Sequence, residues 1–268
     1  SKMKVLFLGD IVGRSGREAL NRHLHKINLD NQIDFTIVNG ENAAGGFGIT
    51  EKICDELYNA GANAITTGNH LWDQKEISKY IEKDNRLLKP YNSAEGTPGV
   101  GYNIFKTEND EKIIVINLIG NVFMKTNDSP FLKIDELMNK LKNENEVKFI
   151  FVDFHAEATS EKVAMGHHLN GRVTAVVGTH QHIPTADACI LSDGTAYQTD
   201  AGMCGDYDSV IGMDKQPILD RFRGNEPKNR FTPALGEATI CGVIVESYSD
   251  SYKAKSIIPI KVGGVLGH

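Results

Sequence analysis

The chain has 268 residues, of which 40% are hydrophobic and 24% are charged, a balance that is typical of a globular protein and excludes a disordered one. It carries 35 acidic and 29 basic residues, for a net charge of −6, which argues against a long nucleic-acid-binding groove. No apolar run approaches the roughly 20 residues that span a bilayer, and the run from Val5 to Leu8 is too short for a signal-peptide core. We therefore expect a cytoplasmic enzyme or binding protein without a membrane partner.

The first third of the chain alternates between strand-like and helix-like patterns. Continuous apolar runs that end in glycine or polar residues predict buried strands, and apolar residues at helical spacing predict the helices between them. The predicted strands cover residues 4–10, 34–39 and 62–66, and the predicted helices cover residues 16–26, 50–60 and 73–83. Thr50 is the expected N-cap of the second helix. This alternation predicts a parallel sheet with right-handed crossovers.

The remainder of the chain is richer in strands than in helices. Strands are predicted at residues 101–106, 112–118, 147–153, 173–177, 186–191, 195–199, 238–247 and 253–262, with a helix at 134–141. The whole pattern predicts an α/β fold in which a second sheet packs on the first and helices lie outside. No linker interrupts residues 1–268, so we expect a single domain. The polar segment 215–233 is predicted to be a long loop that serves function or faces a second copy of the chain.

Residues with metal-binding side chains follow five of the predicted strands. In open α/β sheets, ligands bind beyond the carboxyl ends of the strands, where these residues are expected to meet. Each residue alone has an ordinary structural explanation, such as a turn or a buried histidine. Their repetition at the end of one strand after another favours a site for transition-metal ions. The candidate ligands are Asp10, Glu41, Asn42, Asn69, His155, His180 and His182.

The size of this set favours two metal ions. One ion with an open catalytic position uses about three to five ligands, so the candidates suit a pair better than a single ion. A pair needs a bridging carboxylate, which either Glu41 or Asp10 can supply. Mixed nitrogen and oxygen ligation favours Fe, Mn, Co or Zn over Ca or Mg. His70 directly follows Asn69 and is expected to donate a proton to a departing alkoxide, with a further metal ligand as the alternative.

The order of these motifs resembles the calcineurin-like metallophosphoesterase superfamily. The chain has Gly-Asp at 9–10, Gly-Glu at 40–41, Gly-Asn-His at 68–70, a lone histidine at 155 and Gly-x-His-x-His at 178–182. It departs from the usual pattern because Val12 stands where the first motif carries histidine, Glu41 replaces an aspartate, and Leu71 replaces an acidic residue. With segments 199–203 and 208–212, these departures are similar to the bacterial YmdB family of phosphodiesterases over nearly the whole chain.

The resemblance implies a four-layer αββα sandwich with two mixed sheets, two ions of iron or manganese, and hydrolysis of 2′,3′-cyclic nucleotides. The implied roles are one ion on Asp10, Asn42 and His182, a second ion on Asn69, His155 and His180, a bridge at Glu41 and a proton donor at His70. Two cations would activate a shared water for in-line attack on phosphorus. They would also supply the positive charge that a chain of net charge −6 lacks.

Several alternatives stay open from the sequence. A phosphomonoesterase or protein phosphatase would use the same ligands, and a regulatory protein would keep the metal site but act through partners. The family and segment 215–233 favour a homo-oligomer that acts on a small nucleotide. The glycine-rich segment 45–48 either cradles a phosphate or lets the backbone pass close to the metal centre. His167 and His168 face either substrate or solvent, and Tyr207 either stacks on a base or fixes a loop.

Overall fold

Two mixed sheets and a short two-stranded ribbon make up the β-structure of the computed structural model, which describes residues 2–267. The strands are β1 (Lys4–Leu8), β2 (Asp10–Ile11), β3 (Phe35–Asn39), β4 (Ala64–Thr66), β5 (Tyr102–Lys106), β6 (Lys112–Ile119), β7 (Val147–His155), β8 (Ala175–Thr179), β9 (Cys189–Ile190), β10 (Ala196–Gln198), β11 (Met203–Cys204), β12 (Ile240–Ser247) and β13 (Ala254–Val262). The helices are α1 (Gly13–Asp30), α2 (Glu51–Ala60), α3 (Ile77–Tyr80), α4 (Pro130–Leu141), α5 (Thr159–Leu169) and α6 (Lys215–Phe222). Within residues 2–267, none of the helices combines the length and the apolar character that crossing a membrane requires.

Both sheets are mixed: the first has antiparallel strands at one edge, and the second has one at each edge. The first sheet has five strands in the order β13-β12-β1-β3-β4, and the second has six in the order β5-β6-β7-β8-β10-β9. β1, β3 and β4 run parallel, as do β6, β7, β8 and β10. β12 and β13 extend the first sheet in antiparallel fashion, and β5 and β9 close the second sheet in the same way. Within each sheet, the carboxyl ends of the parallel strands therefore lie along one edge.

Alternation along β1 shows how the layers pack. Leu6 and Leu8 point toward α1 and α2 and lie in one hydrophobic cluster, whereas Val5 and Phe7 point the other way into a second cluster. In that second cluster the ring centroids of Phe7 and Phe151 of β7 are 4.8 Å apart, so the two sheets pack face to face. A third cluster packs the far side of the second sheet against α4 and α5. Three buried clusters between four layers confirm the expected αββα sandwich.

Local sequence determines where two outer helices begin. The backbone N–H of Ile53 donates to the hydroxyl of Thr50 at 3.2 Å, which confirms the predicted N-cap of α2. Ser129 caps α4 through a 3.3 Å hydrogen bond from the N–H of Leu132, with Pro130 in the first turn. α4 thus begins four residues before the predicted start at residue 134 because the apolar spacing marks only its buried part.

The predicted helix over residues 73–83 is right only for residues 77–80. Residues Leu71–Asp73 form a short 3-10 turn, and only the four residues of α3 are helical afterwards. Gln74 lies between them in an extended conformation and donates its side-chain amide to the carbonyl of Phe47 at 2.9 Å. This contact with a distant loop interrupts the helix that the local apolar spacing favours.

The predicted loop over residues 215–233 is also wrong in its first half, which forms α6. Pro217 lies in the first turn of this helix, where its missing N–H is not needed for a helical hydrogen bond. The side chains of Gln216 and Asp220 lie one turn apart, and a 2.8 Å hydrogen bond from Gln216 to Asp220 stabilises the helix. Phe222 at its end is 83% exposed, and self-association through this segment stays a prediction.

Candidate metal centre

The residues predicted as ligands lie where neighbouring strands end. β1, β3 and β4 are adjacent in the first sheet, and β7 and β8 are adjacent in the second, so each sheet presents a group of side chains at its carboxyl edge. The structure brings all the predicted ligands into one connected cluster. The strand ends supply Asp10 after β1, Glu41 and Asn42 after β3, Asn69 after β4, His155 at the end of β7, and His180 and His182 after β8.

One half of the cluster surrounds His155. Its Nε2 lies 2.9 Å from Oε1 of Glu41 and 2.8 Å from Oδ1 of Asn69. Nδ1 of His180 approaches the same nitrogen to 3.1 Å. The ligand atoms of Glu41, His155 and His180 all lie within 4.8 Å of one another, which is the spacing of groups that share a metal ion. His155 and Glu41 are fully buried, so these contacts form away from bulk water.

The other half of the cluster surrounds His182. Its Nε2 lies 3.1 Å from Oδ2 of Asp10 and 3.3 Å from Nδ2 of Asn42. Asn42 also donates from Nδ2 to Oε1 of Glu41 at 3.2 Å, so Glu41 touches both halves. Glu41 is therefore the carboxylate placed between the two groups, and Asp10 belongs to one of them only.

The nitrogen and oxygen atoms of the cluster are arranged better for binding metal ions than for hydrogen bonding to one another. Nε2 of His155 has three polar neighbours but carries at most one proton, so it serves only one of them as a hydrogen-bond donor. Oδ1 of Asp10 and Oδ1 of Asn42 are buried and accept no hydrogen bond from any residue of the described chain. Buried oxygen atoms without donors are costly unless a cation satisfies them. The imidazole, carboxylate and carboxamide groups are ligand types of first-row transition metals.

Outer contacts orient each imidazole. Nδ1 of His155 donates to the hydroxyl of Thr179 at 2.8 Å, because that hydroxyl gives its own proton to Asp153 at 2.7 Å. Nδ1 of His182 donates to the carbonyl of Ile211 at 2.8 Å. Each bond leaves Nε2 unprotonated in the neutral ring and directed into the cluster, which is the usual arrangement behind metal-binding histidines.

His180 is held from its opposite nitrogen. Its Nε2 lies 2.8 Å from a carboxylate oxygen of Glu157, which has 41% side-chain exposure at the edge of the cluster. This partner leaves Nδ1 directed toward His155. His180 therefore presents the other ring nitrogen to the centre, compared with His155 and His182.

The carboxylates of the cluster stay ionised although they are buried. Burial raises the pKa of Asp10, but its hydrogen bond with His182 and the charges of the neighbouring imidazoles lower it overall. Burial acts in the same direction on Glu41, and the charge and hydrogen bond of His155 outweigh it, so the pKa of Glu41 is also lowered. Two buried negative charges are stable only beside positive charge, which protons or metal ions supply.

The histidines respond to these carboxylates. Burial opposes the charged form of His182, but its hydrogen bond with Asp10 prevails and raises the pKa to about 9. Burial likewise opposes protonation of His155, and the charge of Glu41 raises its pKa to about 8. Burial and then the charge of His155 lower the pKa of His180 to about 4. A metal ion at these nitrogen atoms would compete with the protons, so metal binding would release protons.

The loop after β8 holds two of the histidines in an unusual backbone conformation. His180 has a φ of 108° and His182 a φ of 73°, a region that non-glycine residues rarely adopt and that is concentrated at functional sites. A buried ion pair anchors the loop: Lys162 of α5 lies 3.0 Å from Asp200. The same carboxylate oxygen of Asp200 accepts a 2.9 Å hydrogen bond from the backbone N–H of Gln181, between the two histidines.

His70 lies at the rim of the cluster rather than within it. Its backbone N–H donates to Oε2 of Glu41 at 3.1 Å, which fixes the start of the 3-10 turn at the cluster. The ring has 33% side-chain exposure, and its Nδ1 lies 2.8 Å from Oδ2 of Asp73. Nε2 is therefore the nitrogen left to face a substrate, and Asp73 is placed to orient the ring.

Sequence reasoning missed the residues that support the ligands. Asp73, Glu157 and Thr179 each lie within three residues of a predicted site histidine, which is the signal that would have found them. Lys162 and Asp200 carry no such signal because they are 38 residues apart in the chain. Their role depends on α5 lying against the loop after β8.

The structure resolves some of the alternatives around the site. Gly46 and Gly48 have positive φ angles; a Cβ would come within 2.9 Å of the Pro233 side chain at Gly46 and within 3.1 Å of the His70 carbonyl at Gly48, which favours the close-packing alternative for these glycines. The Tyr207 hydroxyl donates to the carbonyl of His182 at 3.1 Å, which matches the loop-fixing alternative. His168 lies 2.9 Å from Asp135 of α4, on the outer helical layer.

Comparison with known proteins agrees with this site. A model of the family described as YmdB-like protein matches residues 6–260. A 2′,3′-cyclic-nucleotide 2′-phosphodiesterase of Bacillus subtilis (strain 168) is 48% identical over 255 residues, which cover 95% of each chain.

Two solved structures share the fold over almost their full length. A hypothetical protein from Thermus thermophilus superposes with a TM-score of 0.87 at 37% identity, covering 97% of this chain and 98% of the other. A novel phosphatase from Mycoplasma pneumoniae superposes with a TM-score of 0.90 at 33% identity, covering 98% of this chain and 94% of the other. The family match, the relatives and the strand-end cluster agree, and the chain belongs to the YmdB-like family.

Proposed function

We propose that this chain is a phosphodiesterase that hydrolyses small nucleotide phosphodiesters, with 2′,3′-cyclic nucleotides as substrates, using two transition-metal ions. The observation that carries the proposal is the buried cluster of nitrogen and oxygen ligands in two halves, joined at Glu41. The 48% identity to the Bacillus subtilis 2′,3′-cyclic-nucleotide 2′-phosphodiesterase supports the reaction and the substrate class.

The proposed ligand assignment follows the two halves. When bound, the metal ions supply the positive charge that activates water as a nucleophile and neutralises the phosphoryl oxygens. Nitrogen ligands with neutral carboxamides favour Fe, Mn, Co or Zn over calcium or magnesium, and the family resemblance favours iron or manganese among these. The assigned residues are Asp10, Asn42 and His182 for one ion, Asn69, His155 and His180 for the other, and Glu41 between them.

The proposed proton donor is His70. Hydrolysis of a 2′,3′-cyclic phosphate breaks the bond from phosphorus to a ribose oxygen, and that oxygen needs a proton to leave as a hydroxyl group. The Nδ1 contact with Asp73 at 2.8 Å leaves Nε2 to carry this proton. Asp73 also holds the ring in one orientation through this contact. His70 is partly exposed, so it regains a proton from solvent after each turnover.

Metal analysis combined with two substrates tests the proposal. Purified protein is expected to contain close to two transition-metal ions per chain, located by anomalous scattering at the cluster. It is expected to hydrolyse 2′,3′-cyclic AMP much faster than p-nitrophenyl phosphate, which is a monoester. The opposite preference would establish a phosphomonoesterase instead.

A ligand variant tests the non-enzymatic alternative. Glu41→Gln removes the charge between the two halves and is expected to lower metal content and hydrolysis together. A regulatory binding protein would lose hydrolysis in this variant yet keep its cellular effect. Purified protein that binds no transition metal and cleaves no phosphodiester would contradict the proposal as a whole.

A further inference from the structure

A groove of about 870 Å³ opens directly beside the metal centre. Its lining includes Gly68, Asn69 and His180, which belong to the site or touch it. The loop that follows β6 lines the same groove, including Phe123 and Lys125. This volume lies at the upper end of the roughly 300–1,000 Å³ of ordinary small-molecule sites, so the groove has room for more than a phosphate group.

Phe123 is presented to this groove in an unusual way. Its side chain is 88% exposed, and its φ is 59°. A bulky residue in the left-handed region has a strained backbone. A large apolar ring that stays exposed to water contributes no hydrophobic stabilisation to the fold. The backbone conformation is unfavourable for folding and the exposed ring does not offset its cost, so the position points to a use other than folding.

The loop that carries Phe123 is fixed by specific hydrogen bonds. The carboxylate of Glu161 accepts hydrogen bonds from the backbone N–H groups of Asn121 at 3.0 Å and Val122 at 3.2 Å. Asn121 and Asn127 close the loop through two further hydrogen bonds, at 2.7 and 3.1 Å. Glu161 is itself buried in α5. The backbone before and after Phe123 is therefore held in place by the fold.

Trp72 lines the same groove and is the single tryptophan of the chain. It lies in the 3-10 turn that starts after His70. Its side chain is half-buried against the hydrophobic cluster between the first sheet and helices α1 and α2. The lining of the groove therefore includes an indole from the turn that follows the proposed proton donor and the phenyl ring of Phe123. Flat aromatic surfaces of this kind bind unpaired nucleobases by stacking, with little preference among bases.

A second groove, of about 850 Å³, lies elsewhere on the molecule. It lies between the end of α4 and the start of β7, at the opposite, amino-terminal side of the second sheet. Its charges are mixed, with Lys142 and Lys148 beside Glu144 and Glu146. It contains none of the metal-centre residues among those described, so it offers no route to the reacting phosphate.

We propose that the groove beside the metal centre binds the nucleobase of the substrate and that Phe123 is its stacking platform. The inference rests on the proposed function and extends it, because it makes the base, in addition to the phosphate, a recognised part of the substrate. Phe123 stacks on the face of the base, and stacking accepts purines and pyrimidines alike. Recognition by stacking adds binding energy without touching the reacting bond, so it lowers KM and leaves kcat unchanged.

Calorimetric titration of the metal-loaded protein with 3′-AMP and with inorganic phosphate tests the subsite directly. Phe123→Ala is expected to raise the Kd of 3′-AMP roughly 5- to 100-fold, the effect of losing one base–aromatic stack, and to leave the Kd of phosphate unchanged. Phe123→Tyr is expected to bind like wild type. Val122→Ala is the matched control, because Val122 is exposed in the same loop but does not line the groove.

Fluorescence of Trp72 gives a second readout of where the base lies. Binding of 3′-AMP is expected to change the tryptophan emission of the wild-type protein, and phosphate is expected to leave it unchanged. Equal affinity of wild type and Phe123→Ala for 3′-AMP, or an unchanged emission on nucleotide binding, would overturn the assignment of the groove.

Steady-state kinetics separate this inference from the proposed function. Phe123→Ala is expected to raise KM for 2′,3′-cyclic AMP and 2′,3′-cyclic UMP with unchanged kcat. It is expected to leave kcat/KM unchanged for methyl riboside 2′,3′-cyclic phosphate, in which a methoxy group replaces the base. If wild type cleaves the base-bearing and base-free substrates equally well, the subsite is refuted and the phosphodiesterase stands. If wild type cleaves neither, the proposed function itself fails.

Discussion

His155 is the residue whose imidazole connects the two sheets at the site. Its Nε2 contacts Glu41 and Asn69, which follow strands of the first sheet, although His155 itself ends a strand of the second. The residue type and its position at a strand end were predictable from local sequence. Its partners were not, because Asn69 is 86 residues away in the chain. Contacts over such separations depend on how the sheets pack.

The proton-donor role of His70 predicts a loss that depends on the leaving group. His70→Ala is expected to reduce kcat for 2′,3′-cyclic AMP by roughly 10²–10⁴-fold, because a ribose oxygen leaves poorly without a proton. The same variant is expected to cleave methyl p-nitrophenyl phosphate at close to the wild-type rate, since p-nitrophenolate leaves as an anion. Steady-state rates on both esters, with metal content measured in parallel, check this prediction.

An equal loss on both esters would contradict the proton-donor role. It would place His70 among the groups that hold the metal ions or the substrate. Asp73→Asn is the companion variant, because it keeps the size of the partner 2.8 Å from Nδ1 and removes its charge. It is expected to show a smaller loss, of about 10- to 100-fold, on the cyclic substrate only.

Gly68 tests how tightly the ring of His155 is packed. A Cβ at position 68 would lie 2.2 Å from Cδ2 of His155, far inside van der Waals contact. The ring is held at Nδ1 by Thr179 and has little freedom to retreat. Gly68→Ala is therefore expected to displace the ring and to lower metal content and phosphodiesterase activity together, as measured by metal analysis and hydrolysis of the cyclic nucleotide.

Gly224→Ala is the control for this prediction. Gly224 follows α6, and beyond its chain neighbours no atom of the described residues lies within 4 Å of a Cβ placed there. It has a φ of 81°, so the substitution carries a backbone cost of about 1 kcal/mol without a clash. The control is expected to keep its metal and its activity. A Gly68→Ala protein with full metal content would show that the ring moves without consequence.

At the scale of elements, the segment from β8 to β11 carries two proposed ligands, His180 and His182, on strained backbone and is anchored by a buried ion pair. Lys162→Met leaves the carboxylate of Asp200 buried without its partner, which is expected to cost roughly 3–5 kcal/mol of unfolding free energy. Because Asp200 also holds the N–H of Gln181, metal affinity is expected to fall as well. Chemical denaturation and metal titration check the two effects.

A double variant makes this test specific to the unpaired charge. Lys162→Met with Asp200→Asn removes both charges and is expected to be more stable than Lys162→Met alone. Lys26→Met is the exposed control, because its ion pair with Asp30 lies on the surface of α1 with 78% and 54% side-chain exposure. It is expected to change stability little. A double variant as unstable as Lys162→Met would show that the ion pair acts through packing alone.

Elements were predictable where local chemistry decides them. The alternating face of β1 and the Thr50 cap of α2 follow from residues that are neighbours in sequence. The 73–83 segment was not predictable in this way, because the contact from Gln74 to the carbonyl of Phe47 reaches 27 residues back. The helix α6 was hidden for the opposite reason: polar residues and Pro217 suggested a loop, although both suit the first turn of an exposed helix.

At the scale of the whole molecule, metal ions are expected to tie the two sheets together. A ligand that binds only the folded state at 100 times its Kd adds about 2.7 kcal/mol of stability. For a chain of this size that corresponds to a rise in melting temperature of roughly 5–10 °C. Removal of metal with a chelator, followed by calorimetric melting before and after metal is restored, measures the shift.

Glu41→Gln is the control for the metal-linked stability. The shift on chelation is expected to shrink strongly in this variant, because Glu41 touches both halves of the cluster. Equal melting temperatures of the wild-type protein with and without metal would show that the ions do not link the sheets. A shift of the same size in Glu41→Gln would place the stabilising ion elsewhere.

The amino-acid sequence by itself determined which residues have ligand chemistry and that they follow strands, since both depend on side-chain type and on hydrophobic patterns over a few residues. Only the tertiary structure decided which ligands share a half of the cluster, which imidazole nitrogen faces inward, and which loop presents Phe123 beside the site. These features depend on contacts such as that of Asn42 with His182, 140 residues apart. Such contacts form only when two separately patterned sheets bury their inner faces against each other, and no local pattern encodes that register.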